Sequence, residues 1–112
     1  MTQKSEEKVI VYNKLVRDRI PEIISASGKS CNTSILSDEE YLKMLDAKLD
    51  EELAEYHKDQ NIEELADLFE VILACASARG YTPDQLEKVR AEKADKRGSF
   101  KNKVFLIDVT EK

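Results

Sequence analysis

The stretch that decides the fold runs from Lys48 to Asp67 and reads KLDEELAEYHKDQNIEELAD. It contains two short acidic motifs on either side of a polar turn, Glu52-Leu-Ala-Glu55 and Glu64-Leu-Ala-Asp67. Residues three apart in a helix lie on the same side, so each motif would present two carboxylates together. An antiparallel pair of helices would then bring all four carboxylates close to one another. Such a cluster is suited to a divalent metal ion.

Helix start signals lie on both sides of the polar turn. A capping box at Ser37–Glu40 predicts a long helix that ends in a frayed turn at residues 57–60. A second capping box begins at Asn61 and starts a helix predicted to end at Arg79. Apolar residues occupy nearly every side of this second helix, which is typical of a central helix.

Two shorter helices complete the predicted helical part of the chain. The first is expected over residues 21–27, with a proline in its first turn and a glycine just beyond its end. The other is expected from Thr82 to about Lys96, again with a proline at its first position. The sequence therefore predicts a mainly α fold in a single domain of residues 1–112.

The two ends of the chain are predicted to supply a small β element. Residues 9–12 are β-branched and aromatic, which favours a strand or an extended segment packed on the core. Residues 104–109 form the stronger strand candidate. The polar residues 1–8 that precede the first run are expected to be flexible.

Composition limits the classes of partner. The net charge of -5 argues against non-specific binding to a nucleic-acid polymer, although a local basic patch is permitted. The apolar run at residues 71–78 is too short to cross a bilayer, so no membrane partner is expected. With no N-terminal signal segment, Cys31 and Cys75 are expected to be reduced thiols in a cytoplasmic protein.

Helical geometry predicts different exposure for the acids of the first motif. The apolar stripe of the long helix comprises Leu42, Leu45, Leu49, Leu53 and Tyr56. At about 100° per residue, Glu52 falls beside this stripe, Glu55 lies further round the same flank, and Glu51 points away. Glu52 is therefore expected to be the most buried of the three carboxylates.

The acids also have a purely structural interpretation. Glu64 can cap its own helix, and Asp67 can complement the positive N-terminal end of the helix dipole. The acids of the first motif can form a solvated face that pairs with Lys48 or Lys58. Spacing alone does not choose between this interpretation and a metal site.

The paired motifs resemble those of the all-α nucleoside triphosphate pyrophosphohydrolases of the MazG type, in the setting KLDEELAE followed by EELADLFEVI. The opening NKLVRDRIPEII and the later KRGSF look like a branch usually called phosphoribosyl-ATP pyrophosphohydrolase-like. Together these features cover the chain from about Asn13 to Ile107. Only eight residues separate Glu55 from Glu64, fewer than is usual in MazG proteins, and this short turn looks like a trait of that branch.

The resemblance implies a MazG-like helical bundle that binds Mg²⁺, with Mn²⁺ as a possible substitute. It implies four metal ligands, Glu52, Glu55, Glu64 and Asp67, of which Glu52 and Glu55 are also predicted to be catalytic. The reaction implied is cleavage of a nucleotide between its α and β phosphates, by water that a metal and a carboxylate activate, to give a monophosphate and pyrophosphate. A role in clearing non-standard nucleotides and assembly as a homodimer or homotetramer are expected with it.

Basic residues are predicted to bind the substrate phosphates. The predicted set is Lys14, Arg17, Lys48, Lys93 and Arg97. With the resemblance, Arg17 is expected either to reach a substrate phosphate or to brace the acidic cluster. Without it, Arg17 and Asp18 read as an ordinary surface pair, and Lys93 and Arg97 read as cations favoured at a helix C-terminus. The alternative function is a non-catalytic helical protein of the same fold that dimerises or senses a nucleotide.

Overall fold

The computed structural model describes residues 7–111, so the predicted flexible start falls mostly outside the described residues. The described part of the chain contains four helices: α1 (Ile20–Ala26), α2 (Asp38–Asp59), α3 (Ile62–Ala78) and α4 (Pro83–Arg97). The mainly α class is therefore confirmed. The chain divides into two compact units, the first ending at Cys75 and the second beginning at Ala76, so the boundary lies inside α3.

Capping boxes fix the starts of α2 and α4, and the one at Ser37–Glu40 was predicted. At the other predicted box, Asn61–Glu64, the structure gives the hydrogen bond from the Glu64 N–H to Asn61 Oδ1. Ser37 Oγ accepts a hydrogen bond from the Glu40 N–H at 3.2 Å, and Glu40 Oε1 accepts one from the Ser37 N–H at 3.4 Å. Thr82 and Gln85 make the same reciprocal pair, at 3.1 and 2.9 Å. Each box satisfies backbone donors that the first helical turn leaves without partners.

The core of the first unit is small and lies between α2 and α3. Leu45 of α2 and Val71 of α3 are the buried hydrophobic side chains of the described residues. Three other members of the predicted α2 stripe are half-buried, Leu42, Leu49 and Tyr56. Leu53 is 42% exposed, so the stripe is covered less towards the C-terminal end of α2.

One face of α3 is open, which corrects the prediction of a central helix. Leu65, Phe69 and Ile72 are exposed, and Ile62 is 79% exposed. A shallow groove of about 420 Å³ runs along this face, lined by Ile62, Leu65, Ala66, Phe69 and Glu70. The first unit covers the side of α3 that carries Val71 and leaves this one uncovered.

The predicted β element is not formed in residues 7–111, which contain no strand. Residues 9–12 and 104–109 have no regular secondary structure, and their apolar side chains are exposed, so the first run is not packed on the core either. A strand depends on hydrogen bonds to a neighbouring strand, which β-branched composition cannot itself provide.

Among residues 7–111, no helix combines the length and the apolar composition that a membrane span requires.

Candidate metal centre

A tight turn between α2 and α3 brings the two acidic motifs together. Gln60 ends α2 in the left-handed conformation, with φ of 49°, and its N–H donates to the Tyr56 carbonyl oxygen at 2.7 Å. The next residue, Asn61, accepts a hydrogen bond from the Glu64 N–H at its Oδ1, at 2.9 Å. The chain thus leaves one helix and starts the next within two residues, and the helices run back along each other.

Three of the four predicted ligands converge across the two helices. One carboxylate oxygen each of Glu52, Glu64 and Asp67 lies within 4.8 Å of the others. We call these residues the first triad. Oxygens on opposite sides of an octahedral Mg²⁺ lie about 4.2 Å apart, so small side-chain shifts would fit all three to one ion. The donor set, hard carboxylate oxygens only, also suits this cation.

The fourth predicted ligand, Glu55, belongs to a neighbouring group. Its carboxylate lies within 4.8 Å of those of Asp59 and Glu64, which we call the second triad. Glu64 is common to both triads. Asp59 was missed because the sequence suggested a frayed end at residues 57–60, whereas α2 stays helical through Asp59. The available signal was its position seven residues after Glu52, on the same helical face.

Exposure of these acids follows the helical geometry for two residues and departs from it for one. Glu52 is the most covered, with its side chain 12% exposed, and Glu55 is exposed, both as predicted. Glu51 was expected to point away, but its side chain is only 33% exposed. It turns instead towards two lysines, which attract its charge.

Cations surround the first triad on the side of the N-terminal segment. Arg17 Nη2 donates to Asp67 Oδ1 at 2.7 Å. Lys48 Nζ lies 3.4 Å from a Glu52 oxygen and 3.2 Å from one of Glu51, which also accepts a hydrogen bond from Lys14 Nζ at 3.0 Å. Lys14, Arg17 and Lys48, three of the predicted phosphate-binding residues, therefore gather at the acidic helices.

The surroundings shift the pKa values of two carboxyl groups in opposite directions. The pKa of Glu64 is raised, first by partial loss of its hydration and then by the negative charges of Asp67, Asp59, Glu55 and Glu52. Burial alone would also raise the pKa of Glu51, but hydrogen bonds from Lys14 and Lys48 overcome this effect and lower it. Glu64 thus lies where negative charge is concentrated without a balancing cation, because the lysines and Arg17 contact other acids.

The other two predicted phosphate-binding residues, Lys93 and Arg97, lie on α4 in the second unit. With Arg90, Ala94, Gly98, Ser99 and Phe100 they line a cleft of about 350 Å³. Arg90 and Phe100 did not figure among the residues predicted to bind substrate. The signal for Arg90 was its spacing, since residues 90, 93 and 97 share one helical face.

Part of the chain is similar to a known protein. An uncharacterized protein of Mycolicibacterium smegmatis is 64% identical to this chain over 42 residues, which cover 38% of the chain and 43% of the relative. The chain thus matches less than half the length of that relative. No family model matches the chain. No solved structure matches it either.

Proposed function

We propose that the protein is a Mg²⁺-dependent nucleotide pyrophosphohydrolase of the MazG type. The observation that carries this proposal is the sharing of Glu64 between two carboxylate triads, which leaves its negative charge unbalanced. The resemblance of the two acidic motifs and of NKLVRD to that class supports it. The bundle-like pairing of α2 with α3 is also consistent with the proposal.

In this mechanism Glu52, Glu64 and Asp67 would hold the cation. Bound Mg²⁺ would neutralise phosphate charge and make the phosphorus more electrophilic. Glu55, exposed at the edge of the second triad, accepts a proton from water while the water oxygen bonds to the α phosphorus. The bond from that phosphorus to the bridging oxygen breaks, and pyrophosphate leaves. Lys14 and Lys48 are near enough to the triad to neutralise phosphate oxygens.

A test of this function starts with Mg²⁺ and a panel of nucleoside triphosphates. We expect release of pyrophosphate and of a monophosphate, together with a Mg²⁺-dependent rise in melting temperature. Glu52→Gln and Asp67→Asn should each lower turnover at least ten-fold and weaken the Mg²⁺ effect, because an amide is a poorer ligand for a hard cation. Asp46→Asn, an exposed position on α2, is the matched control. Full activity in both triad variants would contradict the proposal.

A non-catalytic role is the second candidate, and the ion pairs favour it. Asp67 and Glu52 already have cationic partners, Arg17 and Lys48, so their charges can be explained by helix packing alone. In that case the triads would bind no metal, and the protein would act by dimerising or by sensing a nucleotide. Calorimetric titration with Mg²⁺ and Mn²⁺ separates the two functions. The enzyme is expected to bind one of these ions with measurable heat, whereas the non-catalytic protein is expected to bind neither.

We also propose that a second copy of the chain covers the open face of α3. A domain of about this length normally buries more than 60% of the surface that its unfolded chain exposes. Here the buried hydrophobic side chains of residues 7–111 are Leu45 and Val71, while Leu65 and Phe69 remain exposed. A chain that needs its exposed apolar face covered in order to be stable requires a partner that is always present. A second copy of the same chain is such a partner. The assembly is then a homodimer or homotetramer.

A further inference from the structure

An extended apolar segment follows α4. Residues 104–111 read VFLIDVTE, and the five apolar residues among them are 73–87% exposed. Within residues 7–111, no backbone N–H or carbonyl group of this segment takes part in a hydrogen bond. Free backbone groups next to β-branched and aromatic side chains are what a neighbouring strand needs in order to pair. The segment therefore has the properties of an unpaired edge strand.

The two ends of the segment carry opposite charges. Lys101 and Lys103 lie in the turn that precedes it, where the Lys103 N–H donates to the Phe100 carbonyl oxygen at 3.4 Å. Asp108 and Glu111 lie towards the other end. Within the described chain, none of these four charged side chains forms an ion pair. Each end of the segment therefore leaves its charge free for a partner.

This arrangement of charges favours a second copy of the same segment that runs in the antiparallel direction. An antiparallel pair places the lysines of each copy beside the acids of the other, at both ends. A parallel pair would place like charges side by side, which opposes pairing. The exposed run at residues 9–12 is a poorer partner, because it has only four residues and is followed by Asn13, whose φ of 47° is not that of a strand.

We propose that residues 104–111 form an antiparallel two-stranded ladder with the same segment of a second copy of the chain. The contact uses no part of α3 and does not depend on nucleotide hydrolysis. An isolated two-stranded ladder is marginally stable in water, so this contact is weaker than the proposed contact through α3. Each contact alone gives a dimer, whereas a chain with both can join two dimers into a tetramer. Only the tetramer rests on the proposed α3 contact.

Amide hydrogen exchange of the full chain, measured by NMR at protein concentrations from about 10 μM to about 1 mM, tests the pairing. Protection should rise with concentration at alternate residues of the segment, because each strand of an antiparallel pair directs every second N–H to its neighbour. Phe105→Asp should weaken the pairing at least about ten-fold, since a charge replaces an apolar cross-strand side chain. The matched control is Phe100→Asp, an exposed ring outside the segment.

Reversal of the charges at one end tests the direction of the pairing. The double variant Lys101→Glu with Lys103→Glu should weaken the pairing about ten-fold, because both ends of an antiparallel pair would then have only negative charges. Asp108→Lys with Glu111→Lys should weaken it similarly, through positive charges. All four reversals in one chain should restore the protection, since opposite charges again lie side by side.

The control for these variants is Lys88→Glu with Lys96→Glu, the same charge change at exposed positions of α4. Protection that is absent at every concentration, or an equal loss in the control, would overturn the proposal. Unchanged pairing after reversal of one end would overturn the antiparallel direction. Protection of residues 9–12 that disappears in Phe105→Asp would assign that run as the partner instead. Protection of the segment that persists in Phe69→Asp would support the proposal even if the α3 contact did not form.

Discussion

Arg17 and Asp67 are fifty residues apart in the sequence, and the Nη2 of one donates to the Oδ1 of the other at 2.7 Å. This contact fixes the NKLVRD segment against the second acidic motif. Because Asp67 is also a member of the first triad, the guanidinium and a metal ion would compete for the same carboxylate. Both side chains are about half exposed, so the ion pair itself contributes little stability.

Removal of this competition should strengthen metal binding. Arg17→Gln is expected to tighten Mg²⁺ binding up to about five-fold, the equivalent of about 1 kcal/mol for an exposed ion pair. Calorimetric titration with Mg²⁺ measures this change. Arg19→Gln is the control, because Arg19 pairs with Glu22 on the exposed surface and contacts no triad residue. An unchanged or weaker affinity in Arg17→Gln would contradict competition at Asp67.

Removal of the Glu64 charge should stabilise the metal-free protein. The pKa of Glu64 is raised in the folded state, so its carboxyl group keeps its proton to a higher pH in the folded chain than in the unfolded chain. Ionisation of Glu64 therefore lowers the stability of the folded protein as the pH rises. Glu64→Gln should therefore raise the melting temperature in EDTA at pH 7. This gain should become smaller when the pH falls below the ordinary pKa of a glutamate side chain. The same variant should lose the stabilisation that Mg²⁺ gives to the wild type.

Glu63→Gln is the matched control for this experiment. Both residues lie in the first turn of α3 and interact with its dipole, but Glu63 belongs to neither triad. Thermal melts from pH 4 to pH 7 should separate the two variants. A Glu64→Gln protein that is less stable than Glu63→Gln in EDTA would show that repulsion within the triads is not significant.

The Glu51 charge should have the opposite effect on stability. Hydrogen bonds from Lys14 and Lys48 overcome burial and lower its pKa below the ordinary value of 4.5. Its contribution is then fully present above pH 4.5 and disappears as pH falls through the lowered pKa. Glu51→Gln should cost up to about 1 kcal/mol of the free energy of unfolding at pH 7. Asp50→Asn, an exposed neighbour, should change it little, and equal losses in both variants would refute the assignment.

The open face of α3 should control assembly. Phe69→Asp is expected to weaken self-association at least about thirty-fold, because a charge would replace an aromatic side chain in an apolar contact. Sedimentation equilibrium across a range of concentrations measures the effect. Ile35→Asp is the control, since Ile35 is 98% exposed and lies outside the groove. A wild-type chain that stays monomeric at all concentrations would exclude the proposed dimer.

Local signals predicted the helices well because their determinants lie within a few residues. The Ser37 and Thr82 caps each act on a residue three positions away, so sequence order is enough to recognise them. The same holds for the proximity of the two motifs, which follows from helices separated only by Gln60 and Asn61. Helical periodicity also predicted correctly that Glu52 is more covered than Glu55.

Non-local features could not be predicted in this way. The runs at residues 9–12 and 104–109 have the composition of strands, but a strand requires a partner that composition does not specify. Glu51 turns towards Lys14 because of a charge thirty-seven residues away in the sequence. Asp59 belongs to the second triad because α2 stays helical through residues that were predicted to be frayed.

The sequence by itself determined the mainly helical class, the helix starts and the pairing of the two acidic motifs, because these depend on interactions over three or four residues. Only the tertiary structure decided which carboxylates meet, and which cation each of them contacts. Those relationships depend on the approach of side chains from separate segments, as in the contact between Arg17 and Asp67. The tertiary structure also divided the acids into two triads that share Glu64, the arrangement on which the proposed metal chemistry depends.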